Sequence, residues 1–443
     1  MHQQGDGGTG APERAPAANQ GPPLRPQAES GPSGKAEGAE PRGDGAGQKK
    51  PGKSRRRRGR RGKGGARAAS ATAQAQKPVP AKPQKPAAPR APALRPAIRE
   101  DKLYAALDLG TNNCRLLVAR RAPEGFKVVD AYSRIVRLGE GLASTGALGE
   151  AAMSRAIEAL SICADKMKRR GVNRARTIAT AACRTATNGR DFIARVKRET
   201  GLSLEIVSTE DEARLAVAGC APLLDADCAS ALVFDIGGGS TELIWVRLES
   251  NGKGKCRPVI GDWISLPCGV VTLAERHGGV DVPPVVYERM VREVADHLAP
   301  FLGRLREERD HARPFHLLGT SGTVTTIAGV HLGLERYDRS RVDGIWISPA
   351  EVHRVTRSLL GMDYRQRAAH PCVGQERADL VLAGCAIFEA IADAWPAERL
   401  RVADRGLREG ILMSLMDADV NSRRRRRRRH RSKRGPARME ASA

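Results

Sequence analysis

One short pattern occurs twice in this chain, and that duplication constrains the fold more than any other feature. Leu103–Leu109 (LYAALDL) is an apolar run closed by Gly110-Thr111-Asn112-Asn113 and followed by a second run, Cys114–Ala119. The pattern returns as Ala231–Ile236 (ALVFDI), Gly237-Gly238-Gly239-Ser240-Thr241 and Glu242–Val246 (ELIWV). Two apolar runs joined by a Gly/Asn-rich turn read as a β-hairpin. Each hairpin carries an Asp near the end of its first strand, and Asp108 and Asp235 lie 127 positions apart. A domain-length spacing makes this an internal repeat.

The intervening texture alternates strand and helix signals. Phe126–Leu138 reads as a strand. Ala151–Arg170 is helical, with Met153, Ile157, Leu160, Ala164 and Met167 recurring at three- and four-residue steps. Ala175–Ala182 reads as a strand running into a loop over Cys183–Asn188. A helix over Asp191–Thr200, a strand over Leu204–Ser208 and a helix from Thr209 follow. Beyond the second hairpin come strands at Trp263–Leu266, Phe315–Leu318 and Leu400–Val402, and helices at Val286–Arg306, Ser348–Leu360, Asp379–Trp395 and Gly406–Met416. Two similar mixed halves predict an α/β architecture with a cleft between them.

Charge then divides the chain. The formal net charge is +25, but residues 1–100 hold 21 basic and 7 acidic side chains, and residues 420–443 hold 11 and 1. Residues 101–419 are left with a net charge of +1. The first hundred residues are rich in Gly, Ala, Pro and Gln, with too few apolar residues to offset the entropy of ordering. The expected organisation is a disordered basic extension at 1–101, domains at 102–228 and 229–419, and a disordered Arg-rich tail at 420–443. Runs such as Arg55–Arg58 and Arg423–Arg429 suit non-specific polyanion binding, as a tether near the cleft, or serve only as solvated extensions. With aromatic residues at 3%, a base-stacking platform is a poor fit. No apolar run reaches the ~18 residues of a membrane span, so no membrane partner is expected. The nine cysteines form no C-x-x-C pair and read as reduced, buried thiols without a Cys/His metal site.

A single Gly-rich turn is ordinarily just a hairpin. Two in duplicated context, each beside an Asp, would clamp a phosphate chain if they face each other across the cleft: glycine lets backbone N–H groups approach an oxyanion, and hydroxyls and amides add donors. Gly110, Thr111, Asn112 and Asn113 would grip from one side, and Gly237, Gly238, Gly239, Ser240 and Thr241 from the other. Asp108, Asp235 and Glu242 are candidate carboxylates for a divalent cation, of which magnesium commonly takes only one or two. Gly319–Thr323 is a third candidate loop or a plain strand-to-helix turn. Glu210, Asp211 and Glu212 each suit a helix first turn on dipole grounds alone.

The chain resembles the exopolyphosphatase/guanosine-pentaphosphate phosphatase (Ppx/GppA) family of the actin/sugar-kinase/heat-shock ATPase superfamily. The resemblance rests on ALDLGTNNCRLLVA (Ala106–Ala119), TIATAACRTATN (Thr177–Asn188), STEDEARLAVAG (Ser208–Gly219), VFDIGGGSTELI (Val233–Ile244), LLGTSGTVTTIA (Leu317–Ala328) and ADRGLREGIL (Ala403–Leu412). It implies two ribonuclease-H-like domains with substrate and Mg²⁺ in the cleft between them. It also implies Glu212 as the catalytic glutamate that orients or deprotonates the attacking water, and Arg184 as a catalytic arginine. Longer members carry a further helical domain with His-Asp pairs; no His-Asp dipeptide occurs here, so the short two-domain form is expected.

The implied activity is release of terminal orthophosphate from inorganic polyphosphate, with hydrolysis of guanosine pentaphosphate to the tetraphosphate as the close alternative on the same site. A cytoplasmic setting follows from the resemblance, and a homodimer is among the assemblies it allows. A kinase is disfavoured because no sugar-binding signature is apparent. A degenerate hydrolase core displaying basic arms to RNA or polyphosphate remains a separate reading; a pure binder would not need the set Asp108, Glu212, Asp235 and Glu242.

Overall fold

The computed structural model describes residues 102–433 apart from 124, 251–255 and 309–312, so the extension expected at 1–101 lies outside the described residues. The first half opens with a meander, β1 (Leu103–Leu109), β2 (Asn113–Ala122) and β3 (Gly125–Ile135). Helices α1 (Leu142–Thr145) and α2 (Glu150–Arg170) lead to β4 (Arg174–Ala179), and α3 (Ala181–Thr185) and α4 (Gly189–Thr200) to β5 (Glu205–Ile206). Helix α5 (Thr209–Cys220) crosses to a second meander, β6 (Ser230–Ile236), β7 (Thr241–Ser250) and β8 (Cys256–Leu266). Then come α6 (Val270–His277), α7 (Pro284–Glu308), β9 (Phe315–Thr320), α8 (Ser321–His331), α9 (Arg339–Val342) and β10 (Trp346–Ile347). The chain closes with α10 (Pro349–Leu360), α11 (Tyr364–Ala369), α12 (Val381–Ala394), β11 (Leu400–Ala403) and α13 (Leu407–Lys433).

The strand orders are β3-β2-β1-β4-β5 and β10-β11-β9-β6-β7-β8. In each sheet an antiparallel meander continues into parallel strands on the far side of its first strand, which is the expected ribonuclease-H-like pair of sheets. The repeat extends to register. Asp108 faces Arg115 across β1 and β2, and Asp235 faces Glu242 across β6 and β7. The turns close alike, Gly110 N–H on Asn113 O at 2.8 Å and Gly237 N–H on Ser240 O at 3.0 Å. Even the β-bulges correspond: register shifts between Val118 and Ala119 in one half and between Trp245 and Val246 in the other.

Both first strands are buried on both faces, as strands covered by helices on each side must be. On β1, Ala105, Leu107 and Leu109 join the core built with α2 and α4. Tyr104 and Ala106 pack instead with Leu215 of α5 and with Ile411, Leu412 and Met416 of α13. On β6, Leu232, Phe234 and Ile236 face the large core around α7 and α12, while Val233 meets Ala213, Val217 and Cys220 of α5. Alternation along the strands puts Asp108 on the α13 side and Asp235 on the α5 side. The two helices touch closely: a Cβ on Gly410 would lie 2.0 Å from the Leu215 carbonyl oxygen, so only glycine fits.

Three sequence expectations need correction. Residues 407–419, expected with the second domain, form the start of α13 and pack on the first sheet, because Ile411, Leu412 and Met416 fill its inner face. The Arg-rich tail expected to be disordered from 420 is helical to Lys433. No Gly or Pro interrupts residues 411–434, arginine is a good helix former, and basic residues suit a helix C-terminus. The loop expected over Cys183–Asn188 begins inside the short helix α3.

Candidate active site

The two hairpin turns meet face to face. A Cβ on Gly239 would lie 2.7 Å from Thr111 Oγ1, and one on Gly238 3.0 Å from Thr111 Cβ. Side chains at these positions would push the loops apart. Between and beside the loops lies a cavity of about 550 Å³ lined by Asp108, Gly110–Asn113, Glu212, Asp235, Gly237–Ser240 and Glu242. Of the residues expected in the site, Thr241 and Arg184 do not line it. The buried Thr241 hydroxyl donates to Cys268 O at 2.7 Å and anchors the second loop. Of the third candidate loop, Gly319–Thr323, residues Thr320–Thr323 reach the cavity.

Helix geometry places Glu212. Ser208 caps α5, its Oγ accepting the Asp211 N–H at 3.1 Å, so Glu212 leaves the first turn at the mouth of the cavity. Arg184 stands behind it, donating from Nη1 to Glu212 Oε2 at 3.1 Å and to Val207 O at 2.8 Å. Glu210 and Asp211, equal candidates on sequence, both pair with Arg214 on the exposed side.

The carboxylates crowd one end of the cavity. Burial pushes Asp108 up to about 6 against the pull of Arg115 and Arg408. Burial also raises Asp235, opposed by a hydrogen bond from Ser321. Glu242 is raised by burial and by neighbouring Asp235, and Glu212 well above the usual range by burial and by Glu242. Ser240 and Ser265 both donate to Glu242 Oε1, at 2.7 and 2.9 Å. Asp108 Oδ1 and Asn112 Oδ1 are buried without a hydrogen-bond partner among the described residues. Crowded, under-satisfied acceptors are the environment a hard cation relieves. Among the described residues no three His, Cys, Asp or Glu converge closely enough to hold an ion alone. A cation here would take one or two of Asp108, Asp235 and Glu242 and complete its shell with water or substrate oxygens.

Several cavity residues escaped the sequence reading. Arg115 is the 127-residue counterpart of Glu242, opposite Asp108, so the repeat itself points to it. Arg408, in the first turn of α13, lines the cavity, and burial lowers its pKa. Ser321, by contrast already within the third candidate loop, holds φ 80°, rare for a non-glycine residue, at the start of α8. Cys183 and Cys268 are buried thiols raised to about 12, poor nucleophiles.

Two ribonuclease-H-like sheets whose paired glycine-rich loops meet over buried carboxylates define a protein built to handle phosphate groups. The chain belongs to the Ppx/GppA phosphatase family, whose profile matches residues 117–419. It is 31% identical over 329 residues to exopolyphosphatase 2 of Mycobacterium tuberculosis, covering 70% of this chain and 98% of that protein. The crystal structure of the Aquifex aeolicus Ppx/GppA family member shares 29% identity at a TM-score of 0.59, covering 72% of this chain and 98% of its own. An exopolyphosphatase from Cytophaga hutchinsonii has the same fold at 24% identity and a TM-score of 0.64, covering 72% and 98%.

Proposed function

We propose that this chain is an exopolyphosphatase that releases terminal orthophosphate from inorganic polyphosphate. The observation that carries the reading is the meeting of Gly239 with Thr111 over a cavity into which Glu212 projects. The name of the 31% identical relative favours polyphosphate over guanosine pentaphosphate. Backbone N–H groups of the two loops would bind the terminal phosphate oxygens from opposite sides. Glu212 would hold the attacking water and take its proton as the new P–O bond forms and the bridging P–O bond breaks. Arg184, bonded to Glu212 Oε2, orients that carboxylate and pulls its pKa down against burial and Glu242. Asp108, Asp235 and Glu242 fit Mg²⁺, which when bound neutralises phosphate charge.

The same reading gives two domains, the first completed by α13. The eight cysteines whose side chains are described, all free and buried, support a reducing cytoplasmic setting. No described helix is long and apolar enough to cross a membrane. The test is orthophosphate release by the full-length protein from polyphosphate and from guanosine pentaphosphate, with Mg²⁺ and with chelator. Glu212→Gln is expected to lose at least about 100-fold in kcat. Undiminished release by that variant would remove Glu212 from the mechanism, and faster turnover of the nucleotide would reassign the substrate.

A further inference from the structure

Just beyond β3, Arg137 holds φ 47°, one of two non-glycine residues with positive φ among the described residues. Such a conformation persists only where surroundings hold it. Here the surroundings are the first phosphate loop. Val136 and Arg137 N–H both donate to Asn112 O, at 2.8 and 3.1 Å, and Gly139 N–H donates to Thr111 O at 2.9 Å. Arg155 closes the turn from behind, its Nε donating to Val136 O at 3.0 Å.

The Arg137 side chain then crosses to the other half of the molecule. Its guanidinium donates to both oxygens of Asp379, from Nη1 at 2.7 Å and Nη2 at 3.1 Å, and from Nη2 to Glu376 O at 3.1 Å. Paired bonds of this kind fix orientation as well as distance. Glu376 and Asp379 bracket Arg377, which lines the catalytic cavity and donates to Thr326 Oγ1 at 3.2 Å. The segment is itself rigidly seated. Buried Arg367 donates to Ala378 O at 3.2 Å, Met362 O at 2.7 Å and Val280 O at 2.6 Å.

A second cavity of about 320 Å³ adjoins the first, between Asn113 and Ser133–Ile135 on one wall and Val373–Arg377 on the other. Asn113, Ser133, Val373 and Arg377 line both, so the two spaces communicate there. Arg137 ties one wall to the other. A chain whose terminal phosphate sits between the loops has this opening beside it for the phosphates that follow.

We propose that Arg137 is a positioning residue that sets the width of this passage, fixing the first phosphate loop against the Glu376–Asp379 segment and so governing the grip on phosphates beyond the scissile one. It touches no reacting atom. The inference rests on the reading that the cavity takes a phosphate chain.

Arg137→Asn tolerates the left-handed backbone but loses the guanidinium; Asp379→Asn weakens the same bond from the other side. In the full-length protein each is expected to raise KM for long-chain polyphosphate about tenfold while kcat stays within about twofold. The double variant should be no worse than the worse single, because both remove one interaction. Arg137→Lys should recover part of the loss. Melting curves confirm that the variants fold. Unchanged KM, or parallel losses tracking a lowered melting temperature, would overturn the proposal. Nitroxide labels at Arg169→Cys and Ser358→Cys give a substrate-free readout of the two halves. A broadened distance distribution in Arg137→Asn supports the tie and an identical one refutes it, whether or not polyphosphate proves to be the substrate.

Discussion

Burial and neighbouring Glu242 raise the pKa of Glu212 and Arg184 opposes them, so the arginine holds down the pH at which this carboxylate ionises. Arg184→Ala is expected to reduce kcat about 10- to 100-fold at pH 7. Because removing the cation lets Glu212 rise further, the acid limb of the kcat profile should also move to higher pH. A lowered rate with the acid limb unmoved would mean that Arg184 acts elsewhere. His316 offers a separate test of stability. It is fully buried, neither ring nitrogen has a partner among the described residues, and burial lowers it to about 4 from the ordinary 6.5. The unfolded chain binds this proton more readily than the folded one. Its stability term is therefore complete above pH 6.5 and is lost as pH falls toward 4, by roughly 3 kcal/mol at most. Urea unfolding from pH 7 to 4 should show a shallower fall for His316→Leu than for the parent chain.

Elements carry the duplication, and here the sequence was most informative. Strand, glycine turn and strand are local patterns, so both hairpins and both Asp positions could be read directly, as could the helix that begins at Thr209. What could not be read depends on packing between distant segments. Arg115 is one of 75 Lys and Arg residues, and only its registry opposite Asp108 distinguishes it. The place of α13 on the first sheet follows from a core joining residues some 300 positions apart, such as Tyr104 and Met416. The resemblance implies Arg184 as a catalytic arginine, but the ion pair that turns it toward Glu212 spans 28 residues and two elements. The loop-to-loop approach is itself testable. Gly239→Ala should displace Thr111 and raise KM for polyphosphate about tenfold, with the melting temperature little changed because the clash is local. Wild-type KM in that variant would show that the close approach does not matter for binding.

For the molecule as a whole, the question is where its charge acts. Helix α13 begins in the cavity at Leu407 and Arg408 and runs along the first sheet toward the starts of β1 and β4. There Asp419 accepts from Lys102 at 2.7 Å and Tyr104 at 3.0 Å, and pairs with Arg174. At 1.5 Å per residue, Arg423 lies about 22 Å along the helix from Arg408. The arginine run at 423–429 therefore begins at the end of the sheet opposite Asp108, away from the cavity, while the basic extension at 1–101 lies outside the described residues. A polyanion on that run and a substrate in the cavity occupy different places. Removing residues 420–443 should then weaken polyanion binding. The slope of log K against log salt should fall by about 0.7 for each phosphate of a single-stranded polyanion that the arginines no longer neutralise. Hydrolysis of short polyphosphate should be spared, with kcat/KM within about twofold of the full chain. Fluorescence titrations with a labelled long polyphosphate across a salt series, beside turnover of a short chain, measure the two effects independently. An unchanged salt slope would deny the run any part in binding. A collapse of short-chain turnover would mean instead that the helix beyond Asp419 supports the cavity at its other end.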